Sequence, residues 1–279
     1  MAGENISSYK GKLLSDKTSF AINEAFKMLR TNLFYTAKGE KCPVYGITST
    51  FAHSGKSLLI SNLAVSFAQL EKKVLLIDCD LRSSVIHKIF DMEKGEGISE
   101  LLASADSSID KYVKKTKYQN LSIITAGGTP PNPAELLAGA RLGKFIEFMK
   151  QHFDIIFVDL PPVGIVTDAV VINECVTGYL YVVRSRVDDS KSLRNALSVM
   201  EQMDAKIIGL VLNDVDPKTG GYGKYGKYGK YGKYGKYGRK YAQRYGYGYG
   251  YGYGYGYGYG YGYGHSHRKE KAEESSEEN

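Results

Sequence analysis

Positions 50–57 read Thr-Phe-Ala-His-Ser-Gly-Lys-Ser, between a β-branched apolar run and a stretch of helical periodicity. A glycine-containing turn from a strand into a helix leaves backbone N–H groups unpaired at the helix start, and with the helix dipole these attract an anion. A lysine and a hydroxyl directly after the glycine suit nucleotide phosphates. Lys56 would reach the β- and γ-phosphates, and the Ser57 hydroxyl would ligate Mg2+. Ala52, His53, Ser54, Gly55, Lys56, Ser57 and Leu58 are the candidate nucleotide-contacting residues of this loop. The full pattern asks for glycine where Thr50 stands, so the match is imperfect.

Three carboxylates extend the chemistry. The apolar run in "VLLIDCDLR" ends in Asp78 and Asp80, and that in "IIFVDLPP" ends in Asp159. Open α/β sheets bind ligands at strand C-termini, and Mg2+ takes oxygen ligands from one or two carboxylates while keeping several waters. Each acid alone reads equally well as a turn-capping aspartate. Lysine, hydroxyl and three strand-end acids together point to a nucleoside triphosphate held with Mg2+. In a phosphoryl transfer Lys56 would neutralise the γ-phosphate, Asp78 would accept the proton of the attacking hydroxyl, and Asp80 and Asp159 would hold or orient the ion.

These residues need a scaffold that brings strand ends together. "VYGITST", "VLLIDCD", "IIFVDLPP", "YLYVVR" and "IIGLVLND" are short apolar runs without polar alternation, as expected of strands buried on both faces. Between them Leu59, Leu63, Phe67 and Leu70 recur at helical spacing, as do Leu193, Leu197, Met200 and Met203. The pattern predicts an α/β fold of the P-loop NTPase type: a mostly parallel, twisted sheet with helices on both faces. Ahead of it, Phe26, Leu29, Leu33 and Phe34 predict a helix packed on the domain or on a neighbour. "GGTPPNPAELL" predicts a turn entering a helix near Ala134, capped by Asn132.

The last fifth of the chain has a different composition. Of 24 tyrosines in 279 residues, 17 lie between Tyr222 and Tyr263, first in Tyr-Gly-Lys repeats and then in Tyr-Gly repeats. Six lysines, two arginines and no acid give this segment a charge of +8; positions 265–279 carry −2, which leaves about +1 for the rest. A nearly neutral core excludes nucleic-acid binding by charge. The segment has no aliphatic residue apart from Ala242 and cannot bury a core. About 40 such residues would span about 35 Å, enough to visit a neighbouring subunit. The organisation expected is an N-terminal segment 1–18, a nucleotide-binding domain 19–216 and a disordered tail 217–279. Cys42, Cys79 and Cys175 are too scattered for a disulfide framework. With no apolar run of about 18 residues and no signal peptide, a cytoplasmic location is expected.

The loop ending Gly55-Lys56-Ser57, "LLIDCDLR" with Asp78, Asp80 and Arg82, "IIFVDLPP" with Asp159, and "GGTPPNPAELL" together resemble the bacterial tyrosine kinases of capsule and exopolysaccharide assembly. The resemblance covers roughly positions 19–216 and the character of the tail. It implies ATP and Mg2+ as ligands and Asn213 at the adenine edge. It also implies autophosphorylation of Tyr222, Tyr225, Tyr228, Tyr231, Tyr234, Tyr237, Tyr241, Tyr245, Tyr247, Tyr249, Tyr251, Tyr253, Tyr255, Tyr257, Tyr259, Tyr261 and Tyr263. A subunit-contact motif of that family, Glu-x-x-Arg-x-x-Arg, falls on Glu24, Lys27 and Arg30, which implies a homo-oligomeric ring. Further partners implied are a transmembrane activator of the polysaccharide co-polymerase type that recruits the chain to the inner membrane face, a cognate tyrosine phosphatase and protein tyrosine substrates. The family loop carries Pro and Gly where Ala52 and His53 stand here. Division and partition ATPases share the fold and supply the alternative of an ATP-driven positioning switch, but their loop has a lysine where Phe51 stands. A scaffold with an adhesive Tyr/Gly tail is the third reading.

Overall fold

The computed structural model describes residues 9, 11–37, 39–104 and 108–215. The chain divides into Met1–Gly220 and Gly221–Asn279, and the expected acceptor tyrosines, all in the second unit, lie outside the described residues.

Each long apolar run becomes a strand, because only a strand buries consecutive side chains on opposite faces. β1 (Val44–Ser49), β2 (Val74–Asp78), β5 (Ile155–Asp159), β6 (Gly178–Arg184) and β7 (Ile207–Asn213) are joined by two strands that the apolar runs did not announce, β3 (Lys114–Lys115) and β4 (Leu121–Ile124). The seven lie in the order β3-β4-β2-β5-β1-β6-β7, and every pairing is parallel except β3 with β4. β1, β2 and β5 are buried throughout. β7 is not: it is an edge strand, and Leu210 and Leu212 remain more than half exposed. Its apolar composition cannot distinguish an edge from a centre, since strand order is a long-range property.

The period of two divides each strand between two cores. Tyr45, Ile47, Leu76 and Phe157 face α2 (Lys56–Ala68), while Val44, Leu75, Ile77, Ile156 and Val158 face the opposite layer, which includes α6 (Ala140–Met149) and α7 (Ser190–Gln202). α2 is buried nearly all round, because α1 (Phe20–Thr36) and the Leu13-Leu14 segment cover it. Its polar residues are paired accordingly. Asn62 Oδ1 accepts from the Leu14 N–H at 2.7 Å, and Ser61 Oγ donates to the Ser57 carbonyl at 2.6 Å.

Several helix-face expectations need correction at the helix ends. Leu59, Leu63 and Phe67 are buried, but α2 stops at Ala68 and Leu70 is 48% exposed. Met203 lies past the end of α7 and is half exposed, and Phe34 of α1 points outward where Leu33 is buried. α5 (Pro133–Ala138) does start after Asn132, yet the Asn132 side chain makes no capping hydrogen bond; Pro133 at the first position supplies the start signal.

Candidate active site

β1 runs directly into the 50–55 turn, and α2 opens at Lys56. Two residues of the turn lie in the left-handed region, His53 at φ 60° and Gly55 at φ 85°. Glycine adopts this region freely, whereas a residue with a Cβ is held there at a cost of about 1 kcal/mol. Thr50 keeps a negative φ, so the glycine of the full pattern is not required by backbone conformation. The close approach is met from the other side: a Cβ at Gly164 would sit 2.4 Å from the Thr50 carbonyl oxygen. The Thr50 hydroxyl shares a 2.9 Å hydrogen bond with the Tyr181 hydroxyl of β6.

The parallel register places Asp78 beside Asp159 at adjacent strand ends. The Lys56 Nζ reaches between the acids and donates to Asp80 Oδ2 at 2.7 Å, with the Ser57 Oγ at 3.4 Å; Lys56, Asp78, Asp80 and Asp159 are all buried. Asp78 accepts from the N–H groups of Asp80 and Ile86, both at 3.2 Å, and the second Asp80 oxygen accepts from the Ser83 N–H at 2.9 Å. Neither carboxylate oxygen of Asp159 has a hydrogen-bond partner among the described residues, although the Ser57 hydroxyl lies close enough to favour its ionised form.

Burial dominates the electrostatics. It pushes the Asp78 carboxyl well above the ordinary carboxylate range, and the fields of Asp159 and Asp80 push the same way. Asp159 is raised to about 6, again chiefly by burial, with Lys56 opposing the shift. For Lys56 burial acts downward, but Asp159, Asp80 and the hydrogen bond to Asp80 together outweigh it, so the ammonium is held in its charged form. Three acids against one lysine leave an excess of negative charge around the buried Asp159 oxygens. A hard cation with oxygen ligands fits that donor set.

The other expected site residues are more scattered. Asn213, at the end of β7, does not point its amide nitrogen away from the loop: Nδ2 donates to the Ser54 carbonyl at 2.9 Å. Lys27 pairs with Glu24 at 2.8 Å on the exposed side of α1. Arg30 is drawn inward instead, donating to the Ser66 carbonyl at 2.6 Å and the Ser66 hydroxyl at 3.0 Å on α2 of the same chain. Arg82 makes a two-point ion pair with Asp168 at 2.8 and 2.9 Å. Asp168, fully buried, is the partner of that arginine and was not singled out in the sequence. Its context, "VTDAV", is neither a strand end nor a motif, and only the fold brings it 86 positions back to Arg82. Arg184, which contacts the loop, was missed for the same reason.

The fold and the sequence both have counterparts among known proteins. Residues 45–223 match the family "CobQ/CobB/MinD/ParA nucleotide binding domain". The tyrosine-protein kinase CpsD of Streptococcus agalactiae is 36% identical over 72% of this chain and 85% of its own length. The tyrosine-protein kinase Etk of Escherichia coli is 34% identical, and the match spans 28% of that longer protein. The solved kinase domain of Etk superposes with a TM-score of 0.69 at 32% identity, covering 76% of this chain and 85% of that one. The chimerical protein CapA2B2 gives 0.67 at 30% identity, covering 72% and 88%. With a phosphate loop, a lysine among three strand-end acids and this measure of likeness, the chain belongs to the bacterial tyrosine-protein kinases, within the CobQ/CobB/MinD/ParA nucleotide-binding family.

Proposed function

We propose that this chain transfers the γ-phosphoryl group of ATP to protein tyrosines, those of its own C-terminal segment among them, and thereby regulates capsule or exopolysaccharide assembly. The observation that carries the reading is Lys56 held among Asp78, Asp80 and Asp159 at the mouth of the phosphate loop, on a chain with 17 tyrosines between Tyr222 and Tyr263. Lys56 exchanges its bond to Asp80 for the phosphates. Asp78, whose proton affinity is raised by burial and by its acidic neighbours, takes the phenol proton in its carboxylate form as the oxygen attacks phosphorus and ADP leaves. Ser57, Asp80 and Asp159 hold Mg2+, which when bound neutralises charge on the phosphates. His53, Ser54 and Gly55 contribute backbone N–H groups, and Asn213 orients the loop from behind.

Among the described residues no helix is long and apolar enough to cross a membrane. We assign membrane recruitment and activation to a separate adaptor, reversal to a tyrosine phosphatase, and subunit contact in a ring to the exposed Glu24–Lys27 pair. Arg30, already engaged on α2, would have to leave Ser66 to join that contact.

The test is a mixture. Lys56→Met protein with a full tail is combined with active protein truncated after Gly221, the adaptor fragment and Mg-ATP. Intact mass is expected to show added phosphate on the inactive, full-length partner; phosphate confined to active full-length chains in a parallel sample would refute transfer between subunits. Each phosphotyrosine adds about −1.5 to −2 charges, so four or five cancel the segment's +8. Light scattering is then expected to show the oligomer dissociating as phosphate accumulates. A second expectation concerns the loop. His53→Gly relieves the left-handed strain and removes an imidazole from the phosphate approach, so Mg-ATP is expected to bind about three- to fivefold tighter. Weaker binding would mark the imidazole as a contact.

A further inference from the structure

The phosphate loop is held from behind by the ends of two strands. Arg184, the last residue of β6, donates Nη1–H to the His53 carbonyl at 3.0 Å and Nε–H to Asp214 Oδ2 at 3.0 Å. Asn213, the last residue of β7, donates to the Ser54 carbonyl at 2.9 Å. β6 and β7 are themselves tied at this end, since the Ser185 N–H donates to the Asn213 carbonyl at 2.9 Å. Two successive carbonyls of the loop are therefore captured from one side.

A trans peptide is planar, with its C=O and the following N–H pointing in opposite directions. Capturing the His53 carbonyl turns the Ser54 N–H away from Arg184, and capturing the Ser54 carbonyl turns the Gly55 N–H away from Asn213. Neither of these N–H groups has an acceptor among the described residues. They stand immediately before α2, where an anion would be received. The local chain does not favour this arrangement unaided: His53 is held at φ 60° and Gly55 at φ 85°. A Cβ at Gly55 would also lie 2.3 Å from Asn213 Nδ2 and would displace that side chain from its bond to Ser54.

We infer that Arg184, oriented by Asp214 and assisted by Asn213, is a positioning residue that aims the Ser54 and Gly55 amides at the nucleotide's β-phosphate. Arg184 touches neither the phosphates nor the reacting atoms in this role; it acts through the loop. The inference rests on the nucleotide-binding reading given above.

Titration calorimetry on the whole protein tests it, with Mg-ADP and AMP as probes. Arg184→Ala is expected to weaken Mg-ADP about tenfold, the loss associated with a charge-assisted hydrogen bond. AMP, which lacks the β-phosphate, is expected to change by about twofold or less. Arg184→Lys, which keeps a donor for the His53 carbonyl but loses the planar pair with Asp214, is expected to recover about half of the loss, to a deficit of about threefold. In turnover the defect appears in KM for ATP, with kcat within about threefold of the parent. Unchanged Mg-ADP binding by Arg184→Ala would overturn the inference, as would equal weakening of ADP and AMP. Should that variant not fold, Asp214→Asn serves instead, at a side chain 59% exposed. It is expected to weaken Mg-ADP about threefold, and unchanged binding would overturn the inference equally. A parent protein that binds neither nucleotide would refute the nucleotide reading itself.

Discussion

Lys56→Met is expected to leave a folded chain that no longer phosphorylates tyrosine, with the rate down at least about a thousandfold. Methionine retains the length and bulk of the stem, so the packing of α2 survives. What disappears is a buried cation that lies 2.7 Å from Asp80 and faces Asp159 and Asp78. Without it the transferring phosphoryl group would meet three acids and no protein charge to oppose them. The same loss leaves those carboxylates without their counter-ion, so the variant is expected to melt a few degrees lower near pH 8 and to recover as acid protonates them. Intact mass after incubation with Mg-ATP measures the first effect, and thermal melts monitored by circular dichroism measure the second. Phosphorylation retained by a folded variant would remove Lys56 from the machinery.

Asp159→Asn is expected to do two things in opposite directions: abolish activity and stabilise the nucleotide-free protein. Burial raises the Asp159 carboxyl to about 6 from an ordinary value of 3.8. The folded state thus binds this proton more tightly than the unfolded chain does. The penalty is absent below about pH 4, grows as the pH rises towards 6, and above 6 reaches on the order of 2–3 kcal/mol. Asparagine abolishes the ionisation while keeping the shape. A gain of about 4–12 °C in Tm is expected near pH 8 for a domain of this size, shrinking towards zero near pH 4. Burial, which outweighs what Lys56 and the nearby Ser57 hydroxyl return to the charged carboxylate, is the reason such a substitution can stabilise at all. Activity falls because the neutral amide no longer completes a site for a divalent cation. A variant that melts at or below the parent temperature near pH 8 would show that the Asp159 charge is already well compensated.

Both predictions depend on charge collected by the fold, and the sequence disclosed only part of it. The phosphate loop, the strand-end positions of Asp78, Asp80 and Asp159, and the mostly parallel sheet were legible because each is a local pattern. Apolar runs of five to seven residues bury on both faces, and the residues that follow them emerge at the sheet's C-terminal edge.

Other features were not local and could not be read. Strand order decides that β7 is an edge, so its run of aliphatics ends half exposed although it looks like the central strands in sequence. The helix stripes were extended too far, to Leu70 and Met203, because periodicity continues past the point where backbone hydrogen bonds stop. Asp168 and Arg184 are unremarkable in their own segments; only chain crossings bring them to Arg82 and to the His53 carbonyl. Arg30 reads as a surface residue of a contact motif until α1 packs on α2 and offers it the Ser66 carbonyl. Which residues carry charge and which segments become strands follow from side-chain chemistry and period. Which charges meet, how deeply each is buried, and which backbone amides turn towards a ligand are settled by long-range packing, because burial and peptide orientation are set by contacts between segments far apart in the chain.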